Sequence, residues 1–217
     1  MNKRIVTSLA CLLSLVANPV HADQFQATIN IDPSFYTLGG LNLPLQLDFQ
    51  LNSGGAAPVS NTISLSNFSF VTSDANAVSF GAANLSGNVS GDLSSAVSLT
   101  DDASNSFNEF FQSFSTNVKQ ISFDINTTTN INPLAADSFN VALLDSSSGF
   151  PQIPTTDPLG VSLISLNLSD PLSANSYLSA STLPGVNANI AAVPLPASVW
   201  LFATALSAAA CRQRRLS

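Results

Sequence analysis

The chain has 217 residues, room for one ordinary domain plus addressing segments, and its 13 acidic residues outnumber 6 basic ones. Every acid lies between Asp23 and Asp170, where Lys119 is the one basic residue, so the stretch from Asp23 to Val193 has a net charge of −12. That charge excludes a nucleic-acid binder, and the placement of Cys11, Cys211 and His21 in the end segments leaves a body with no Ser-His-Asp triad, no Cys-His nucleophile and no zinc site of the usual kinds.

The first element is an N-terminal signal peptide over residues 1–22. Lys3 and Arg4 precede the apolar run Ile5–Ala17, and Val20 and Ala22 stand at the small-residue positions before a cleavage point. The Sec translocon and signal peptidase are its expected partners, with Asp23 as the new N-terminus. An uncleaved anchor is the alternative, but the apolar run is short for spanning. Leu9-Ala10-Cys11 hints at a lipoprotein box; it comes too early in the run and has Ser8 where a branched apolar residue belongs.

Residues 23–189 read as one domain with period-two patterning. Phe25, Ala27, Ile29 and Ile31 alternate with polar residues, as do Leu43 to Leu51, Ile63 to Val71 with one register slip, and Ile121 to Ile125. Asn84–Leu99, Ser138–Leu144, Val161–Leu168 and Ser176–Ala180 are further strand candidates. Turn clusters such as Leu38–Gly40, Asn52–Gly55, Asp145–Gly149 and Pro154–Pro158 separate them. Roughly eight short strands so spaced predict an all-β, antiparallel, jelly-roll-like sandwich. With no disulfide available it is held by its core, and a body of roughly 165 residues buries about 70% of its unfolded surface.

One stretch departs from period two. Phe107, Phe110, Phe111 and Phe114 fall at i, i+3, i+4 and i+7, and Ser106 with Glu109 has the form of a capping box, so the spacing predicts a short helix plugging one end of the sandwich. An exposed aromatic platform for sugars is the other reading of these rings; core packing is the ordinary one. Asp101 and Asp102 followed by Ser104 and Asn105, and Asp74 with Asn76, gather the hard oxygen ligands calcium prefers. Neither has the offsets of an EF-hand loop, and solvated turns explain both. No other metal or cofactor is expected. Glu109 with an unidentified Asp is what a carboxylate-only hydrolase would require, and nothing in the sequence pairs them.

The last element covers residues 190–217. Val193-Pro194-Leu195-Pro196-Ala197 precedes an apolar helix of about 15 residues, or about 19 counted from Val193, at the low edge of spanning length. Arg212, Arg214 and Arg215 follow it and would anchor its end in the cytoplasm. An ordinary C-terminal membrane anchor is one reading. Motif, helix and arginine cluster in this order closely resemble the PEP-CTERM sorting signal in its Val-Pro-Leu-Pro-Ala variant, matched here at all five positions. The body is similar to a group of PEP-CTERM proteins of uncharacterised activity, through Leu47-Asp-Phe49-Gln-Leu-Asn52, Gly91-Asp-Leu93, Val97-Ser-Leu99, Phe107-Asn-Glu-Phe110-Phe-Gln112 and Thr155-Thr-Asp157-Pro158. The resemblance implies processing near the motif by an exosortase in an exopolysaccharide-making bacterium, through an inner-membrane-anchored precursor to the cell surface or the extracellular matrix. The expected function is therefore non-enzymatic and associated with exopolysaccharide or biofilm. A carbohydrate- or calcium-binding module is the rival from another class, and the carboxylate-only hydrolase a third.

Overall fold

The computed structural model describes residues 22–38, 41–55, 60–102, 104–128, 136–147, 152–168 and 172–193. The expected signal segment up to residue 21 and the sorting tail from residue 194 lie outside them. Twelve strands are described: β1 (Ala22–Ile31), β2 (Gln46–Asn52), β3 (Thr62–Thr72), β4 (Phe80–Ser86), β5 (Val89–Gly91), β6 (Val97–Thr100), β7 (Phe107–Phe114), β8 (Val118–Thr128), β9 (Asp137–Leu144), β10 (Ile164–Leu168), β11 (Ser173–Ser176) and β12 (Val186–Ala192). They form two six-stranded sheets. One has the order β12-β1-β8-β3-β6-β5, the other β11-β10-β9-β2-β7-β4. Every pairing is antiparallel, as the alternating sequence requires. The pairs β1/β8, β2/β7 and β3/β6 are nested, so the chain doubles back on itself and rolls the double layer into a sandwich.

The alternation becomes burial directly. In β1, Phe25, Ala27, Ile29 and Ile31 face inward, and in β8 Ile121, Phe123 and Ile125 do the same. Phe49 of β2 is the hub between the layers. Its ring lies 5.7 Å from Phe110 and 6.2 Å from Phe139 in its own sheet, and 5.4 Å from Phe123 and 6.1 Å from Phe68 in the other. Fully burying such side chains contributes roughly 1.5–3 kcal/mol each. The register slip expected in β3 is a bulge: Ser66 pairs with Asp124 and Ser69 with Ser122, and Asn67 takes the left-handed φ of 55°. Its side-chain amide donates to Asp124 Oδ2 at 2.8 Å, which pins the bulge in place.

The short helix expected around Phe107–Phe114 is not there. That segment is β7, paired on one side with β2 and on the other with β4, and Glu109 sits mid-strand instead of capping a helix. The helical spacing of the four rings is incidental. Phe110 and Phe114 face the core, whereas Phe107 and Phe111 face outward. The inward positions between and before the core rings are polar, Gln112 and Asn108, which hid the period of two. Both are satisfied internally: Gln112 accepts from Leu93 N and donates to Gly81 O and Asp92 Oδ2, each at 2.8 Å, and Asn108 Oδ1 accepts from Asn88 N. An end of the sandwich is plugged after all, by a 3-10 turn, Pro33–Thr37. Asp32 caps it through the backbone N–H of Ser34, Phe35 is fully buried, and the Tyr36 hydroxyl donates to Val118 O at 2.6 Å.

Candidate functional site

Both chain ends leave the sandwich at one pole. β1 begins and β12 ends there, with Phe25 opposite Ala192, and Val193 N donates to Gln24 O at 2.8 Å. β12 runs three residues beyond Asn189, where the sequence pattern places the end of the domain. Asp23, the expected mature N-terminus, is already in register with Thr127 of β8. Among the sorting residues only Val193 is described; Pro194, Leu195, Pro196, Ala197 and the arginines lie outside the described residues, as does Val20.

The opposite pole carries an open groove of about 600 Å³, lined among others by Asn30, Asp32, Lys119, Gln120, Leu178 and Asn187. Three amides from neighbouring strands form a row along it: Gln120 Nε2 donates to Asn30 Oδ1 at 2.8 Å, and Asn30 Nδ2 donates to Asn187 Oδ1 at 3.0 Å. Lys119 sits where Val71 pairs with Gln120 and Thr72 with Val118, a second bulge that leaves it unpaired in the ladder and exposed. The lone cation of the acidic body thus stands beside a row of hydrogen-bonding amides. These residues read individually as ordinary outward positions of alternating strands. Only the register of three strands joins them.

Glu109 does acquire an acidic partner. Gln50 Nε2 donates to Asp48 Oδ2 at 2.8 Å and to Glu109 Oε1 at 3.1 Å, so one amide holds two carboxylates on the outer face of the second sheet. A shared donor keeps them nearer than the gap an inverting glycosidase leaves for its water. Asp48, however, is fully enclosed, while Glu109 is half-buried. Burial, then the Glu109 carboxylate, push Asp48 up to about 7 against the opposing hydrogen bonds of Gln50 and Gln152. Asp48 Oδ1 and Gln46 Oε1, two residues along the same strand face, are buried without hydrogen-bond partners. A carboxyl with no exposed surface cannot protonate or attack a glycosidic bond, whatever its distance from a second acid.

The calcium candidates separate. Asp102 Oδ1 accepts from Ser104 N at 2.7 Å and Asn105 N at 2.9 Å, and Asp74 Oδ1 accepts from Asn117 Nδ2 at 2.7 Å and Asn76 N at 3.0 Å. Both are turn-forming acids at the surface, and these hydrogen bonds hold their carboxyls below the usual range. Asp101 turns the other way. It is fully buried beside Asp137, the first residue of β9, and burial with the Asp137 carboxylate pushes it up to about 6. The sequence pattern contains no hint of Asp137, which lies 36 residues further along the chain. No group of three or more His, Cys, Asp or Glu side chains placed to hold a metal occurs among the described residues, nor does a helix long and apolar enough to cross a membrane.

Neither protein-family models, nor curated proteins, nor solved structures offer a match to this chain. The class therefore rests on the fold and the sites themselves: an all-β sandwich, acidic, with a polar groove at the pole away from its chain ends.

Proposed function

We propose that this chain is an exported, exosortase-sorted surface protein whose nested strands form a jelly roll, and that the domain works without catalysis at the cell surface or in an exopolysaccharide matrix. The observation that carries the reading is the fit of the fold to the interval between the two signals. The sandwich takes up the chain at Ala22, paired with Thr128, and releases it at Val193, and Gln24 and Val193 are hydrogen-bonded neighbours. The precursor on this reading is held at the inner membrane by residues 198–211, with the arginines inside, and the groove points away from the bilayer. The partners are the Sec machinery, signal peptidase and the exosortase, with no nucleic acid. The enclosure of Asp48 supports the absence of hydrolase activity. Intact mass with terminal sequencing of the protein from its native host tests this. A product starting at Asp23 and ending within or just after Val193–Ala197 is expected. A product that retains Trp200 and Arg215 overturns the sorting and leaves a membrane-anchored sandwich.

A second reading, a glycan-binding module, is favoured by the amide row beside Lys119. Neutral sugars match its donors and acceptors, and a uronate would match the ammonium. A rise in melting temperature on addition of an exopolysaccharide fragment, lost in Asn30→Ala and Lys119→Ala, is the expected outcome. No shift across a panel of neutral and acidic fragments leaves the purely structural role.

A further inference from the structure

We propose, resting on the glycan-binding reading of the polar groove, that its ligand is a sparsely charged acidic glycan, laid across the strands with a single carboxylate on Lys119. One line of side chains crosses the sheet within the groove. Leu178 bridges to Asn187, Asn187 pairs with Asn30, Asn30 with Gln120, and Gln120 with Val71. All five line the groove. Three amides are therefore flanked by two apolar side chains, Leu178 at 55% exposure and Val71 at 39%. At a strand spacing of about 4.8 Å the line is roughly 19 Å long. The amides fix one another, since Gln120 Nε2 donates to Asn30 Oδ1 and Asn30 Nδ2 to Asn187 Oδ1. Among the described residues, Gln120 Oε1 and Asn187 Nδ2 have no partner in the protein, which leaves an acceptor at one end of the row and a donor at the other. Sugar hydroxyls, which donate and accept, match both.

The charges select among glycans. Lys119 is exposed at the bulge beside Gln120, and among the described residues it makes no ion pair and its ammonium no hydrogen bond, although the body is strongly acidic. An unneutralised cation beside a fixed row of amides suits a carboxylate. Asp32 lines the same groove. Its Oδ1 accepts from Ser34 Oγ at 2.7 Å and from Ser34 N at 2.8 Å, and these bonds hold its carboxyl below the usual range. The groove thus has a negative charge at neutral pH as well as a positive one. A first carboxylate on the ligand is drawn to Lys119. A second finds no counter-ion, and it meets Asp32 and the field of a body with a net charge of −12. That repulsion rejects a polyuronate and admits a largely neutral glycan with an isolated uronate. A peptide bound through its terminal carboxylate fits less well, because extended peptides pair with a strand edge and these groups are side chains on the face of the sheet.

Three ligands are titrated into the full chain at neutral pH and low salt: a xylo-oligosaccharide carrying one glucuronate, the same oligosaccharide without it, and a galacturonate oligomer of equal length. Calorimetry reads the affinity, and the side-chain amide resonances of Asn30, Gln120 and Asn187 read the place. The singly charged ligand is expected to bind best, with the neutral one about tenfold weaker and the polyuronate weakest. Added salt is expected to narrow the gap between the two acidic ligands. Lys119→Gln, an exposed position, is expected to bring the singly charged ligand down to the affinity of the neutral one. Asp32→Asn, which keeps a capping side chain on the 3-10 turn, is expected to relieve part of the polyuronate's disadvantage. Equal binding of the neutral and singly charged ligands, or tightest binding of the polyuronate, overturns the inference and leaves the glycan reading standing. A response to none of the three, or one reproduced by a short peptide with a free C-terminal carboxylate, removes the glycan reading together with it.

Discussion

Asp48 shows how a single polar position is set by what covers it. In the strand pattern it is an outward residue between Leu47 and Phe49, and outward it is, yet it has no exposed surface. Its carboxyl is raised only in the folded chain, from an ordinary 3.8 to about 7. Between those values the folded protein holds the additional proton, so stability falls as pH climbs through that window and is level above it. Asp48→Asn removes the ionisation and gives the position a donor, beside the buried and unpartnered Gln46 Oε1. The variant is expected to melt several degrees above the parent at pH 8, with the difference closing toward pH 4. Thermal melts across pH check this, and a difference independent of pH would mean that another group titrates. Asn67 makes a related point in the opposite direction. There the residue is needed for its backbone, because a left-handed φ is more readily taken by Asn than by branched residues.

At the scale of elements, β7 is where local pattern and final structure part. Four phenylalanines at helical spacing compete with pairing to two neighbours, and the pairing prevails because a strand between β2 and β4 satisfies backbone groups along both edges. It also buries two of the rings. Gln112 is the inward residue that makes the strand possible, since it replaces an apolar contact with three hydrogen bonds to the β5–β6 turn and β4. Gln112→Ala leaves Leu93 N buried without its partner and is expected to cost about 3 kcal/mol. Ser86→Ala, exposed on the adjacent strand, is expected to change stability by less than about 0.5 kcal/mol. Urea unfolding of the two variants measures the contrast. Were Gln112→Ala neutral, the inward placement of that side chain would be wrong. The 3-10 turn performs the plugging role expected of a helix here, and its signal was present but modest: Asp32 as cap and Pro33 in the first turn, before two aromatics.

For the molecule as a whole, the position of β12 limits where the chain could be cut without disturbing the sandwich. Residues 190–192 pair with β1 across Ala27, Gln26 and Phe25, and Ile190 packs against the core. A processing cut before Val193 would strip the end of an edge strand and uncover the start of β1. On the sorting reading the mature C-terminus therefore falls at or after Val193, and the terminal sequencing described above resolves the difference of a few residues. The same arrangement puts the Asp101–Asp137 pair at the pole where β1 begins and β12 ends, and the groove at the opposite one.

Period-two alternation was enough to determine an all-β fold, most of its strands and a register slip within β3, because each inward apolar residue records its own burial. The acidic body and its empty inventory of His, Cys and Arg were equally plain. Tertiary structure alone decided what depends on register between distant strands. It made β7 a strand against its local spacing, enclosed Asp48, drew Asp101 away from Asp102 to meet Asp137, and lined up Asn30, Gln120 and Asn187. The physical reason is common to all four. Polar side chains look alike along the chain whether they face water, one another or the core, and only the partner strand settles which of these they meet.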